Sequence, residues 1–146
     1  MTSERFKLVA AVYMLLLKDG KFFLSRRLNS GWEDGKYSLV GGHLDGGESA
    51  TSAAAREIRE ETGAFVKEED LKFVNITHSI TNDERIHISF LVEKWDGEIS
   101  NNEPEKASEI GWFDLDILPE DITDISRSII EWYKNGEKYT EFGWKK

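Results

Sequence analysis

The sequence contains no cysteine and only two prolines. Without thiols there is no disulfide framework, no thiolate zinc site and no cysteine nucleophile. A chain of this kind suits a reducing compartment, so a cytoplasmic location is expected. Basic residues are also short, with 19 Lys and Arg against 28 Asp and Glu, a formal charge of −9. A protein that binds nucleic acid by neutralising phosphates is normally basic, so no nucleic-acid partner is expected. An acidic chain can still act on an anionic substrate when a bound cation stands between the two. Long apolar runs are missing as well. The longest covers residues 8–17, well short of the roughly 20 residues that span a bilayer, so no membrane partner is expected. Arg5 and Lys7 precede it in the manner of a signal peptide, but Lys18-Asp19-Gly20-Lys21 follows where small cleavage-site residues belong. The run reads instead as a buried strand entering a hairpin turn.

What is present is an ordinary globular balance, 39% hydrophobic and 32% charged, without repeats, low-complexity segments or linkers. The 146 residues fit a single domain, 1–146, with one core. Strands are expected at 8–17 and 21–27, joined by Asp19-Gly20. A loop covers 29–36, and a short strand at 37–40 is broken by Gly41-Gly42. Residues 48–62, rich in Ala, Glu and Arg, form a helix ended by Gly63. A strand pair follows at 71–80 and 86–95. In its second member Ile86, Ile88 and Phe90 point one way and His87 and Ser89 the other. Asn75-Ile76-Thr77 matches a glycosylation triplet that has meaning only in a secreted chain. A short strand at 110–113 precedes a last helix, capped by Asp121 and carrying Ile122, Ile125, Ile129 and Trp132 on one face. Strands outnumber helices, and two helices are available to cover a sheet. The fold class is α/β, a sandwich on a central mixed sheet.

The chemistry concentrates between Gly42 and Ala64, which reads G-H-L-D-G-G-E, seven residues, then R-E-I-R-E-E-T-G-A. On a helix Glu57, Glu60 and Glu61 lie within roughly 100° of one another around the axis. Carboxylates that close repel, and a hard divalent cation compensates them, Mg²⁺ in particular. Arg56, four residues before Glu60, can pair with it. Gly41, Gly42, Gly46 and Gly47 supply a pliable entry to the helix N-terminus, whose N–H groups and dipole favour an anion. Glu48 suits the same dipole and can reach an arginine.

This stretch resembles the Nudix box, G-x5-E-x7-R-E-U-x-E-E-x-G-U, with U a bulky aliphatic. All fixed letters match, at Gly42, Glu48, Arg56, Glu57, Glu60, Glu61 and Gly63, and Ile58 fills the first U. From average residue usage the chance of such a match at one start is on the order of 10⁻⁸. Ala64 is smaller than the usual final residue, and Val40 stands where many members have proline. Asp34-Gly35-Lys36-Tyr37, the segment Asn102-Glu103-Pro104-Glu105-Lys106 and Gly111-Trp112-Phe113 resemble small MutT-like members. The resemblance implies a Nudix-type α/β/α sandwich and a Mg²⁺-dependent hydrolase, with Mn²⁺ as a substitute. Such an enzyme cleaves a pyrophosphate bond in a nucleoside diphosphate derivative. It implies Glu57, Glu60 and Glu61 as metal ligands and catalytic carboxylates, with Arg56 and Glu48 orienting them. Glu103 and Glu105 are the candidates for a general base or further ligand, against a solvated acidic loop.

Arg26 and Arg27 fall on opposite faces of a strand, and either can hold phosphate or remain a surface charge. His43, with Gly41 and Gly42, is a candidate for substrate contact, against a loop hydrogen bond. Trp32 is placed in packing, with base stacking as its alternative. His78 and His87 lack a third ligand spaced for zinc. The expected partner is a small-molecule nucleotide, and a homodimer is left open. The leading reading is a hydrolase of nucleoside triphosphates, oxidised ones included, that yields monophosphate and pyrophosphate. A hydrolase of ADP-ribose or dinucleoside polyphosphates is the alternative. A non-catalytic nucleotide-sensing domain has no need of all three glutamates, and a prenyl-diphosphate isomerase of the family needs the absent cysteine.

Overall fold

The first strand, β1 (Val9–Lys18), is apolar on both faces because both are covered. Val12, Met14 and Leu16 pack with Ala53, Ala54 and Ile58 of the helix α1 (Ala50–Thr62). Leu15, on the opposite face, joins Ile125, Ile129 and Ile130 of the helix α2 (Asp124–Asn135). The chain is therefore an α/β/α sandwich, seen here in a computed structural model that describes residues 4–145.

At Asp19-Gly20 both residues take positive φ, 52° and 75°, as a tight hairpin turn requires. The chain returns as β2 (Lys21–Arg27). β1 and β2 pair only at the turn, through Leu17 with Phe22 and Lys18 with Lys21. The first part of the same β1 edge belongs to β4 (Val40–His43), antiparallel, with Val12 opposite Gly42 and Tyr13 opposite Gly41. One edge of β1 is thus shared by two strands. Having diverged, β2 carries β3 (Tyr37–Ser38) on one side and β7 (Ala107–Asp114) on the other. The far edge of β1 pairs in parallel with β6 (Glu84–Val92). Beyond it come β5 (Lys72–Ile80), antiparallel, and β8 (Tyr139–Phe142), parallel. The sheet is mixed, as the element pattern suggests.

Three local expectations need correction. Gly41 and Gly42 do not break a strand; they lie inside β4. The break falls at Leu39, whose N–H leaves the ladder to donate to Ser126 Oγ of α2 at 3.1 Å. Asp121 does not cap α2. Thr123 does, accepting from the Ser126 N–H at 3.3 Å, while Asp121 turns to Arg26. β8 has no counterpart in the sequence reading, because its four residues carry too little alternation to register. It closes a polar seam on β5, where Asn75 donates to the Glu137 carbonyl at 2.9 Å and Thr77 bonds Thr140 at 2.9 Å. Asn75 is fully buried in that seam. On β6 the two faces alternate as expected, yet the polar residues His87 and Ser89 are more deeply buried than Ile86 and Ile88. His87 is held there by Ser79 Oγ at 3.1 Å and the Tyr13 ring at 5.3 Å.

Close approach, not backbone angle, explains the glycine at position 41. A Cβ there would stand 2.5 Å from the Val12 carbonyl oxygen and 2.8 Å from the Tyr13 ring. Overpacking of this kind costs about 1–3 kcal/mol. Gly41→Ala is expected to lower unfolding stability by that amount in a urea titration; an unchanged midpoint would show that the strand pair has slack.

Candidate functional site

The buried stripe of α1 runs through Ala54, Ile58 and Thr62 and fixes how the helix faces the sheet. Glu57 and Glu61 each precede a residue of that stripe, so they lie along its border and turn toward β4. Gly42 makes room for them, since a Cβ there would fall on the Glu57 carboxylate. The N-terminus of α1 is satisfied by its own cap, with Ser49 accepting from the Ser52 N–H at 3.2 Å. Glu48 accepts from the Asp45 N–H at 2.7 Å. Gly46 and Gly47 line neither of the cavities described below. Gly41 and Gly42, the other two glycines of this entry, line the larger cavity, and Gly41 the smaller as well.

Arg56 organises these carboxylates. Its guanidinium donates to Glu48 at 2.7 and 3.1 Å, to Glu57 at 2.9 Å, to Glu60 at 3.2 Å and to the His43 carbonyl at 3.2 Å. The Glu48 bond, more than any other partner, raises its already high pKa, and Arg56 in turn holds the Glu48 carboxyl below its ordinary range. Glu60 turns outward and is half exposed, outside both cavities. Glu57 and Glu61 remain as neighbours, each shifting the other's titration. Burial pushes the Glu61 carboxyl well above its usual range, and the Glu57 and Glu103 charges push it further. Burial also raises Glu57. Glu61 Oε2 is buried with no hydrogen-bond partner.

Two cavities meet at this pair. The larger, about 590 Å³, runs past Tyr13, His43, Arg85 and His87. The smaller, about 190 Å³, holds Glu57, Glu103 and Lys106. Arg27, Gly41 and Glu61 line both. Among the described residues no group of three or more His, Asp or Glu already encloses a metal-sized point. The donor set suits a hard cation: all-oxygen, with one buried oxygen that has no donor among the described residues.

The remaining candidates divide by position. Arg27 donates to the Trp32 carbonyl at 2.8 Å and stacks 4.7 Å from its ring, and its terminal nitrogens have no partner among the described residues. Arg26 points away from both cavities, tied to Asp121 and Glu109 and lying over Tyr37. Glu103 lines the smaller cavity; Glu105 is exposed and lines neither. His43 meets Arg85 at 2.8 Å on the wall of the larger cavity. His78 pairs with Glu84 at 2.7 Å, outside the site. Trp32, expected in packing, is 38% exposed and lines the larger cavity. Its loop hangs between Arg27 and Lys36, which bond across its base at 2.9 Å, and is closed internally by Asp34 on Ser30 and Gly31. The sequence reading missed Ser25, Ser38 and Lys106. The one signal available was a serine in the otherwise apolar first part of β2.

Known proteins resemble this chain in sequence and in fold. A family model described as NUDIX domain matches residues 6–133. An ADP-ribose pyrophosphatase of Methanocaldococcus jannaschii is 34% identical over 132 residues, covering 86% of this chain and 75% of that protein. An oxidized purine nucleoside triphosphate hydrolase of Danio rerio is 30% identical over 110 residues, 73% of this chain and 66% of that one. Among solved structures, a MutT NUDIX hydrolase from Burkholderia pseudomallei superposes with a TM-score of 0.80 at 26% identity, covering 87% of this chain and 98% of that one.

Two outcomes follow from the electrostatics. Arg56→Ala would leave the Glu48 and Glu57 side chains, 17% and 14% exposed, without their cation. A loss of about 3 kcal/mol in urea unfolding at neutral pH is expected, with Arg56→Lys recovering only part because the planar fork is gone. His87 is held neutral by burial, its pKa lowered to about 4. Its neutral form stabilises the fold above the unfolded value near 6.5, and that contribution fades as pH falls toward 4. Between pH 7 and 4.5 the wild-type protein should lose about 2–3 kcal/mol more than His87→Gln; parallel pH profiles would show that His87 is not desolvated.

Proposed function

Because the chain belongs to the NUDIX domain family and is a pyrophosphohydrolase, we propose that it hydrolyses the P–O–P linkage of a nucleoside diphosphate derivative at Glu57 and Glu61, with Mg²⁺ as its cation. The observation that carries this reading is the partnerless, buried Glu61 Oε2 beside a second raised carboxylate. Such an arrangement is costly unless a cation completes it. Glu57 and Glu61 are the ligands, and Glu103, on the wall of the same small cavity, is the further carboxylate. When bound, the cation offsets diphosphate charge and acidifies the attacking water.

The protein's own groups do the rest. Arg56, with Glu48 behind it, keeps the Glu57 carboxylate aimed at the cavity. Arg27, steadied by Trp32, offers its free terminal nitrogens to a phosphate where the two cavities meet. Glu103 takes the proton of the attacking water, a role for which exposed Glu105 is badly placed. The walls of the larger cavity, including Trp32 and the Tyr13–His87 ring pair, receive the nucleoside. The relatives named as acting on ADP-ribose and on oxidised purine triphosphates support a nucleotide substrate in either form.

Glu61→Gln tests the assignment, since it keeps shape and removes charge. Turnover of a nucleotide panel with Mg²⁺ should fall by at least about a hundredfold. The Mg²⁺-dependent rise in melting temperature should disappear with it. Undiminished turnover in the variant would remove Glu61 from the reaction.

A further inference from the structure

We infer that Tyr13 holds the substrate's phosphate, its hydroxyl donating to a non-bridging oxygen on the nucleoside side of the scissile linkage; this rests on the hydrolase reading above. Tyr13 belongs to the part of β1 that pairs with β4, directly opposite Gly41. Its ring lies over that glycine, 2.8 Å from where a Cβ would stand. On the other side it meets the His87 ring of β6 at 5.3 Å. The two strands that flank β1 therefore fix the ring. The hydroxyl has no hydrogen-bond partner among the described residues, yet it is not closed off from solvent as Glu61 Oε2 is. A tyrosine hydroxyl withdrawn from bulk water usually has a partner. Tyr13 lines the larger cavity, so a ligand there can supply one.

Position decides which part of the ligand that is. Gly41, beneath the ring, lines both cavities, as do Arg27 and Glu61. The charges of Arg27, Arg85 and Glu61 all act on the hydroxyl, and Arg27 acts most strongly of the three. Tyr13 thus stands at the junction where the linkage lies, on one of the two strands whose divergence opens the cleft; Arg27 stands on the other.

The wall offers an anion few free donors at this point. Arg85 is committed to Asp83 and to His43. Ser79 and His87 are bonded to each other. Trp32, Thr81 and Asn82 lie on loops, outside the strands that meet at Gly41. Arg27 supplies charge, and Tyr13 supplies a neutral O–H that donates to phosphate without altering the charge balance around the Glu57 and Glu61 cation site. Burial, the largest influence on the hydroxyl, raises its pKa, so its proton is present to donate at neutral pH. Arg27 lines both cavities and can serve either phosphate. Tyr13 lines the larger one and not the smaller, which assigns it the phosphate that carries the nucleoside.

Tyr13→Phe removes the hydroxyl and keeps the ring against Gly41 and His87. Nothing in the protein bonds that hydroxyl, so the variant should melt like wild type. A lower melting temperature would reveal an internal bond and overturn the assignment. With the best-cleaved member of a nucleotide panel and Mg²⁺, KM should rise about tenfold with kcat held, as expected for one lost hydrogen bond to a charged group. A rise of less than threefold overturns the phosphate contact and leaves the hydrolase reading standing. Calorimetric titration with adenosine and with α,β-methylene-ADP, whose linkage cannot be hydrolysed, locates the contact. The variant should bind the methylene analogue about tenfold more weakly and adenosine no differently. Equal weakening of both would place the hydroxyl on the nucleoside and overturn the inference. If wild type cleaves nothing in the panel, the hydrolase reading falls, and the titration then decides Tyr13 by itself. A loss confined to the methylene analogue upholds the contact, and unchanged or absent binding overturns it.

Discussion

Two carboxyl groups stand side by side, largely withdrawn from solvent, and much of the surrounding architecture serves that arrangement. Glu57 and Glu61 sit where a helix presses on a strand. The strand can accept them only because Gly42 has no side chain. The helix keeps its position because Ala53, Ala54 and Ile58 are locked into the core. One arginine spans Glu48, Glu57 and Glu60, so the cluster has a bonded counter-charge on its outer side, while among the described residues no cation is paired with Glu61 on its inner side. That asymmetry is the functional point. The outer charges are settled within the protein, while the inner oxygen of Glu61 is left for something that arrives.

The fold was legible wherever a local rule decided the outcome. Asp19-Gly20 made a hairpin because its positive φ values are intrinsic to the pair. Gly63 ended the helix in the left-handed region for the same reason. The spacing of Glu57 and Glu61 placed them on one face, since helical geometry depends on nothing else. Legibility failed where tertiary contact overrode the local signal. Gly41 and Gly42 look like a strand break in isolation and become a strand once Val12, Tyr13 and Glu57 need the space. Asp121 and Thr123 are both good caps in sequence, and the distant Arg26 drew Asp121 away. The cavity walls were the least readable part. Ser38 and Trp32 reach the site through the path of the loop and the divergence of β2 from β1, neither of which leaves a periodic trace.

Charge shows the same division between what is local and what is assembled. The chain is strongly acidic, yet the larger cavity presents Arg27, Arg85 and His43. These come from three different strands, β2, β6 and β4. The same wall also carries Glu33, Glu61 and Asp124, and Arg85 is paired with Asp83, so Arg27 is the cation left to meet an anionic ligand there. Net charge set an expectation about partners but carried no information about where these cations stand.

The segment between Arg27 and Lys36 illustrates how such a protein changes over evolutionary time. Its bonds are almost all internal or to its own base, and it shares no hydrogen bond with α1. Lengthening or replacing it would remodel the rim around Trp32 without disturbing the helix that bears the carboxylates. The loop and the helix are thus separate in their bonding, and the contact that ties the loop to the reaction centre is Trp32 on Arg27, the one position a change of specificity has to keep.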